Sequence, residues 1–121
     1  MPDMPPDGLS PYCHHFHRAV QMIARRWTPE ILRALLAGTV RFSGFTAVIP
    51  GLSDRLLSER LKDLEAEGIV VRTVTPATPV RVEYRLTAKG EDLATAIGAI
   101  AAWAERWVTE REAVESEAGS H

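Results

Sequence analysis

Short apolar stretches at helical spacing, separated by polar breaks, run through most of this chain. Phe16, Ala19, Val20 and Ile23 predict a first helix, because apolar residues three and four apart line one helical face. Thr28-Pro29-Glu30 reads as the next start. Thr28 suits the N-cap, Pro29 the first helical position, and Glu30 the positive end of the helix dipole. Ile31, Leu32, Leu35 and Leu36 give that helix its core face, and Gly38 ends it. A short third helix is predicted over 43–49, closed by Pro50-Gly51. Ser53 then caps a fourth helix that runs to Gly68, with Leu57, Leu61 and Leu64 on its apolar stripe and Leu56 widening it. The other face presents Asp54, Arg55, Ser58, Glu59, Lys62 and Glu65.

After Gly68 the period changes. Residues 69–74 and 80–86 are rich in β-formers, and Val80, Val82, Tyr84 and Leu86 alternate as in a half-buried strand. Thr75-Pro76-Ala77-Thr78-Pro79 is too long for a two-residue turn, so this hairpin has a proline-stiffened tip. Thr87 caps a last helix carrying Leu93, Ile97, Ile100, Trp103, Ala104 and Trp107. Four helices, a hairpin and a closing helix are the order of a winged helix-turn-helix, a mainly α fold with a β-hairpin wing. DNA readers of this type place the second helix of the central pair in the major groove, which admits one α-helix.

At 121 residues and 13.4 kDa the chain has room for one domain. Its 45% hydrophobic and 25% charged residues exclude wholesale disorder and collagen-like structure. Four prolines in the first dozen residues predict a flexible arm over 1–12, ahead of a domain with dimerisation helices over 13–108 and an acidic tail over 109–121. No apolar run approaches the roughly 20 residues that span a bilayer. No export signal is evident either, so a cytoplasmic protein without membrane contact is expected. The single cysteine, Cys13, rules out an internal disulfide framework and a multi-cysteine zinc finger.

The formal net charge of −2 conceals an asymmetry. Residues 14–90 carry 12 Lys or Arg against 7 Asp or Glu, whereas 91–121 carry 2 against 7. A basic body with an acidic end is a pattern that nucleic-acid-binding chains often show. Nothing in the sequence suggests catalysis. It has no glycine-rich phosphate loop, no Ser-His-Asp set that one pocket would gather, and no paired carboxylates in a plausible cleft. Neither an enzyme nor a bound cofactor is expected.

Several ordered motifs then narrow the choice. They are Trp27-Thr28-x-x-Ile31-Leu32, Arg41-Phe42-x-x-Phe45 and Ile49-Pro50-Gly51-Leu52-Ser53. Leu57-x-x-x-Leu61-x-x-Leu64-Glu65-x-x-Gly68-Ile69-Val70-x-Arg72 follows, then Pro79-x-Arg81-Val82-Glu83-Tyr84-x-Leu86-Thr87-x-x-Gly90. Together they strongly resemble the HxlR-type, MarR-like winged helix-turn-helix transcription regulators, from about Cys13 to Trp107. The resemblance implies a homodimeric, sequence-specific DNA-binding regulator whose first and last helices build the dimer. Phe16, Val20, Ile97, Ile100, Trp103 and Trp107 are the expected interface. Trp103 and Trp107 lie four apart, on one face with Ile100, and tryptophan is favoured at interfaces. Family members often carry a cysteine just before the first helix, in some a redox or electrophile sensor, and Cys13 occupies that place. The sequence departs from the family in following it with His14-His15 rather than proline. It also approaches Trp27 through Ala24-Arg25-Arg26 rather than through glycines.

On double-stranded DNA, Arg55 is the candidate for bidentate contact with a guanine edge, with Ser58 and Lys62 further along the same face. Ser53 is expected at a phosphate beside the positive helix end. Asp54 and Glu59 would accept from cytosine N4 or hold neighbouring arginines in ion pairs. Arg41, Thr78 and Arg81 are candidates for backbone or minor-groove contacts, although Arg81 with Glu83 and Arg85 also fits plain charge alternation along a strand. A symmetric dimer would set two recognition helices on successive major grooves, about 34 Å apart, on a pseudo-palindromic operator.

Cys13-His14-His15-Phe16-His17 holds donors suited to zinc or copper, but no second cluster supplies the remaining ligands, so no metal is expected. Cations such as Arg18 beside a cysteine favour its reactive form. With one cysteine per chain, redox sensing would run through an intersubunit Cys13 pair or a mixed disulfide with a small thiol; the plain alternative is an inert thiol. The effector would be an oxidant, an electrophile or a small ligand. A winged helix used as a protein-interaction module without specific DNA binding is the alternative from another class, and salt separates the two, since only DNA binding weakens steeply with ionic strength.

Overall fold

The computed structural model describes residues 13–108 and Glu110, so the arm expected over 1–12 and the rest of the expected tail lie outside the described residues. The elements follow in the order α1 His14–Ile23, α2 Thr28–Leu36, α3 Phe42–Val48, α4 Asp54–Ala66, β1 Val70–Thr75, β2 Arg81–Leu86 and α5 Ala88–Trp107. This is the winged helix-turn-helix, mainly α with a small hairpin wing.

Local chemistry sets most of the boundaries. Ser53 caps α4, its Oγ accepting from the Leu56 N–H at 3.2 Å. Thr87 caps α5, its Oγ1 accepting from the Gly90 N–H at 3.1 Å while donating to the Gly68 carbonyl at 2.6 Å. One hydroxyl thereby joins the start of α5 to the end of α4. Gly38 and Gly68 end α2 and α4 at φ of 104° and 75°. There the Thr39 and Ile69 N–H groups reach back to the Ala34 and Leu64 carbonyls, each at 2.9 Å, which satisfies carbonyls the helix itself leaves open.

The start of α2 differs from expectation by one residue. Trp27, not Thr28, is the N-cap, and it sits in the left-handed region at φ 75°. A bulky residue holds that conformation only where its surroundings impose it. The Trp27 ring lies over Gly51, where a Cβ would come within 3.4 Å of it. The Arg26 guanidinium lies 5.1 Å from the ring centroid. Thr28, pulled in behind it as the first helical residue, is 2% exposed.

The core gathers around α2. Ile31, Leu32, Phe45, Leu57, Leu61, Leu64 and Ile69 are fully buried, contributed by α2, α3, α4 and the residue leading into β1. Leu36, expected on the core face of α2, is instead 47% exposed, and Ala34 takes the inward position. The reason is geometric: Leu36 lies at the edge of the stripe, facing Gly98 of α5. The two strands pair antiparallel from Val70 opposite Leu86 to Thr75 opposite Arg81. Tyr84 anchors this wing to the body. Its N–H donates to the Val40 carbonyl at 2.8 Å, and its ring meets Phe45 edge-on at 6.5 Å.

Candidate nucleic-acid interface

The helix-turn-helix pair is α3 and α4, joined by a turn in which Gly51 adopts φ 88° and Ile49 and Leu52 are buried. Anchoring the turn from inside fixes the angle between the two helices. Leu57, Leu61 and Leu64 hold one side of α4 against the core. The other side therefore presents Asp54, Arg55, Glu59 and Lys62 to solvent, with Ser58 half-buried beside them.

Arg55 has a side chain 83% exposed, its Nη1 lying 3.4 Å from Glu59 Oε2. Of the two expected roles for Glu59, the one realised in the free chain is to hold this arginine. An exposed pair of this kind contributes only ~0.3–0.5 kcal/mol, so a guanine edge competes with it easily. Ser53 uses its hydroxyl oxygen for capping, which leaves the hydroxyl proton able to donate.

Arg41 is the exposed N-cap of α3, in extended conformation. It follows Val40, which the Tyr84 hydrogen bond fixes beside the wing. Thr78 and Arg81 are exposed at the far end of the hairpin. Charge alternation along β2 accounts for Arg85, which pairs with Glu83 at 3.0 Å, but not for Arg81. Among the described residues, Arg41, Lys62, Arg72 and Arg81 make no ion pair. Arg72, which closes the Gly68-Ile69-Val70-x-Arg72 motif, is a further exposed cation on the first strand of the wing, opposite Tyr84 in register.

The expected subunit interface divides. Phe16 is 65%, Val20 38%, Ile100 56%, Trp103 60% and Trp107 63% exposed, a large apolar area for one small domain. Ile97 does not belong with them. It is 4% exposed and sits in the core with Ala94, because those two share the face of α5 turned to α2. At about 100° per residue that face lies roughly a third of a turn from the stripe of Ile100, Trp103 and Trp107.

Cys13 is the half-buried N-cap of α1, in extended conformation, with no side-chain capping bond. Among the described residues no group of three or more His, Cys, Asp or Glu side chains is placed to hold a metal ion, the Cys13–His17 run included. Nor is any helix of the described residues long and apolar enough to cross a membrane.

A helix pair on an anchored turn, an outward face of α4 that carries Arg55 and Lys62 beside Asp54 and Glu59, and an adjoining wing define a winged helix-turn-helix regulator. The chain belongs to the HxlR-like helix-turn-helix family, whose model matches residues 22–112. Among curated relatives, the uncharacterised HTH-type transcriptional regulator YvaP of Bacillus subtilis is 50% identical over 99 residues, covering 82% of this chain and 92% of that one. The transcriptional regulator YodB of B. subtilis in its reduced form has a TM-score of 0.70 at 39% identity, over 80% of this chain and 95% of that one. YodB is also known diamide-treated and quinone-bound. The redox regulator HypR in its oxidised form has a TM-score of 0.71 at 30% identity, over 76% of this chain and 95% of that one. The family consists of DNA-binding transcription regulators rather than enzymes, and this chain is one of them.

Proposed function

We propose that the chain acts as a homodimer on a pseudo-palindromic operator and that Cys13 makes this binding responsive to oxidants or electrophiles. In this reading α4 of each protomer lies in a major groove, Arg55 reads a guanine edge, and Ser58 and Lys62 contact the same groove further along. Ser53, Arg41, Thr78 and Arg81 follow the sugar–phosphate backbone. The observation that carries the reading is that Arg55 and Lys62 on α4, Arg41 at the start of α3, and Arg72 and Arg81 on the wing are exposed and, among the described residues, make no ion pair or only the loose one of Arg55 to Glu59. These are the elements that face DNA in this fold.

The dimer is supported by the exposed faces of α1 and α5. Phe16, Val20, Ile100, Trp103 and Trp107 would lose that exposure against a second copy, and an isologous contact would space the two α4 helices for successive grooves. Cys13 lies one turn before Phe16, at the edge of the same face. Two Cys13 thiols joined across the dimer would surrender two electrons and two protons to the oxidant, a diazene such as diamide taking up both. The diamide-treated and quinone-bound forms of YodB and the oxidised form of HypR make this chemistry a natural one to look for here.

Fluorescence anisotropy of duplex DNA from upstream of the chain's own gene tests the reading, with protein reduced and then treated with diamide. Binding by the reduced protein that is lost with diamide, and kept in diamide-treated Cys13→Ser, is expected. A Cys13→Ser protein that still responds to diamide removes Cys13 as the sensor. Reduced protein that ignores every duplex favours the protein-interaction alternative.

A further inference from the structure

None of the residues of α1 is buried. Met22 and Ile23 pack half-buried against the core, and the polar side of the helix is held to the body by charge. Arg18 pairs with Glu67, the C-cap of α4. Arg25, in the turn after α1, donates to Asp63 Oδ2 at 2.5 Å. Asp63 lies 3.5 Å from Arg60 as well, and Arg60 Nε donates to the Arg26 carbonyl at 2.8 Å. Arg18 and Arg25 thus face Asp63 and Glu67 across a crevice of about 210 Å³.

These carboxylates stand where a helix tolerates them least. α4 ends in Asp63, Glu65 and Glu67 with no basic residue in its last turn, so negative charge is added to the negative end of the helix dipole. By contrast, α2 and α5 carry Arg33 and Arg106 in their last turns. For α4 the offsetting cations come largely from other segments: Arg18 and Arg25 at the N-terminal side, and Lys89, whose Nζ donates to the Glu67 carbonyl at 2.6 Å. Both ion pairs to the α1 segment are solvent-exposed, so each is weak and screened by salt. Such ties contribute little to stability and are easily remade in a shifted geometry.

We infer that Arg18 and Arg25 are positioning residues for DNA recognition, holding the C-terminal end of α4 through Glu67 and Asp63 so that the set of the recognition helix depends on where α1 sits. The inference rests on the reading of α4 as the DNA-contacting helix. It assigns the α1–α4 clasp a task beyond stability: a shift of α1, whose N-cap is Cys13, is passed to α4 through two exchangeable ion pairs while the core stays packed.

The test uses Glu67→Gln and Asp63→Asn, singly and together. Binding is measured to the duplex from upstream of the chain's own gene and to a random duplex of equal length, alongside thermal unfolding. Removing a carboxylate removes repulsion from phosphate, so charge alone tightens both duplexes. Positioning predicts the opposite for the specific one: its affinity falls roughly threefold or more, random binding holds or rises, and the melting temperature stays within about 2 °C. Arg18→Glu combined with Glu67→Arg exchanges the charges at constant total and is expected to recover specific binding. Specific and random binding that rise or fall together overturn the inference.

A wild-type chain with no preference between the duplexes overturns the DNA reading instead. The clasp is then judged in the free protein by amide exchange over 14–23, which the double variant is expected to accelerate several-fold. Unchanged exchange there overturns the clasp.

Discussion

Arg55 and Arg81 are both exposed arginines on elements that the proposed reading sets against DNA, yet their settings predict different work for them. Arg55 stands near the start of α4, where the proposed reading brings side chains to base edges, and among the described residues its ion-pair partner is the loosely held Glu59. Arg81 opens β2 opposite Thr75, at the far end of the wing, where the proposed reading gives it a backbone contact. Arg55→Ala is therefore expected to cost ~1–3 kcal/mol of operator binding and to relax preference at one base pair. Arg81→Ala should weaken operator and random duplex alike. Competition anisotropy on both variants checks this, and matching profiles would contradict the division. Both residues were legible in the sequence because exposed charge on an amphipathic helix or strand is a local pattern. Trp27 was not: its left-handed backbone follows from the ring lying over Gly51, a contact 24 positions away that no local propensity reports.

The helices and the wing divide along the same line. Ends governed by adjacent residues, such as Ser53 with Leu56 and Thr87 with Gly90, could be read directly, as could the glycine stops at Gly38 and Gly68. Which side of a helix meets which neighbour was harder. Helical spacing groups Ile97 with Ile100 and Leu36 with Leu35, but only the crossing of α5 over α2 decides that Ile97 turns inward and Leu36 outward. The packing of α5 on its neighbours makes a sharp prediction about two of its glycines, Gly90 against Ile69 and Gly98 against Leu36 of α2. A Cβ on Gly90 would lie 2.1 Å from the Ile69 carbonyl oxygen, a backbone atom that cannot step aside, whereas one on Gly98 would find its nearest neighbour at 4.0 Å. Gly90→Ala should destabilise the fold by more than ~2 kcal/mol, and Gly98→Ala should be neutral or stabilise it by up to ~1 kcal/mol through helix propensity. Urea unfolding distinguishes them, and similar midpoints for the two variants would refute the close approach of α5 to Ile69.

The chain has two surfaces with different requirements: a cationic one on α4 and the wing, and an apolar one on α1 and α5. In the proposed reading a second copy covers the apolar one. Trp103→Ser with Trp107→Ser is expected to shift sedimentation from dimer toward monomer and to weaken operator binding more than binding to a single half-site. A double variant that stays dimeric would move the interface elsewhere. The sequence pattern put Ile97 on this surface together with Phe16, Val20, Ile100, Trp103 and Trp107, and Ile97 is instead 4% exposed, since membership depends on what α2 has already covered. The cationic surface carries the central claim, that reduced protein binds a specific duplex through α4 and the wing. Its most direct measurement is equilibrium binding to the duplex from upstream of the chain's own gene, across a salt series and against excess random DNA. Binding that survives the competitor is expected, with log K falling linearly in log salt by roughly 0.9 for each phosphate neutralised. Binding abolished by random competitor, or unaffected by salt, would contradict it.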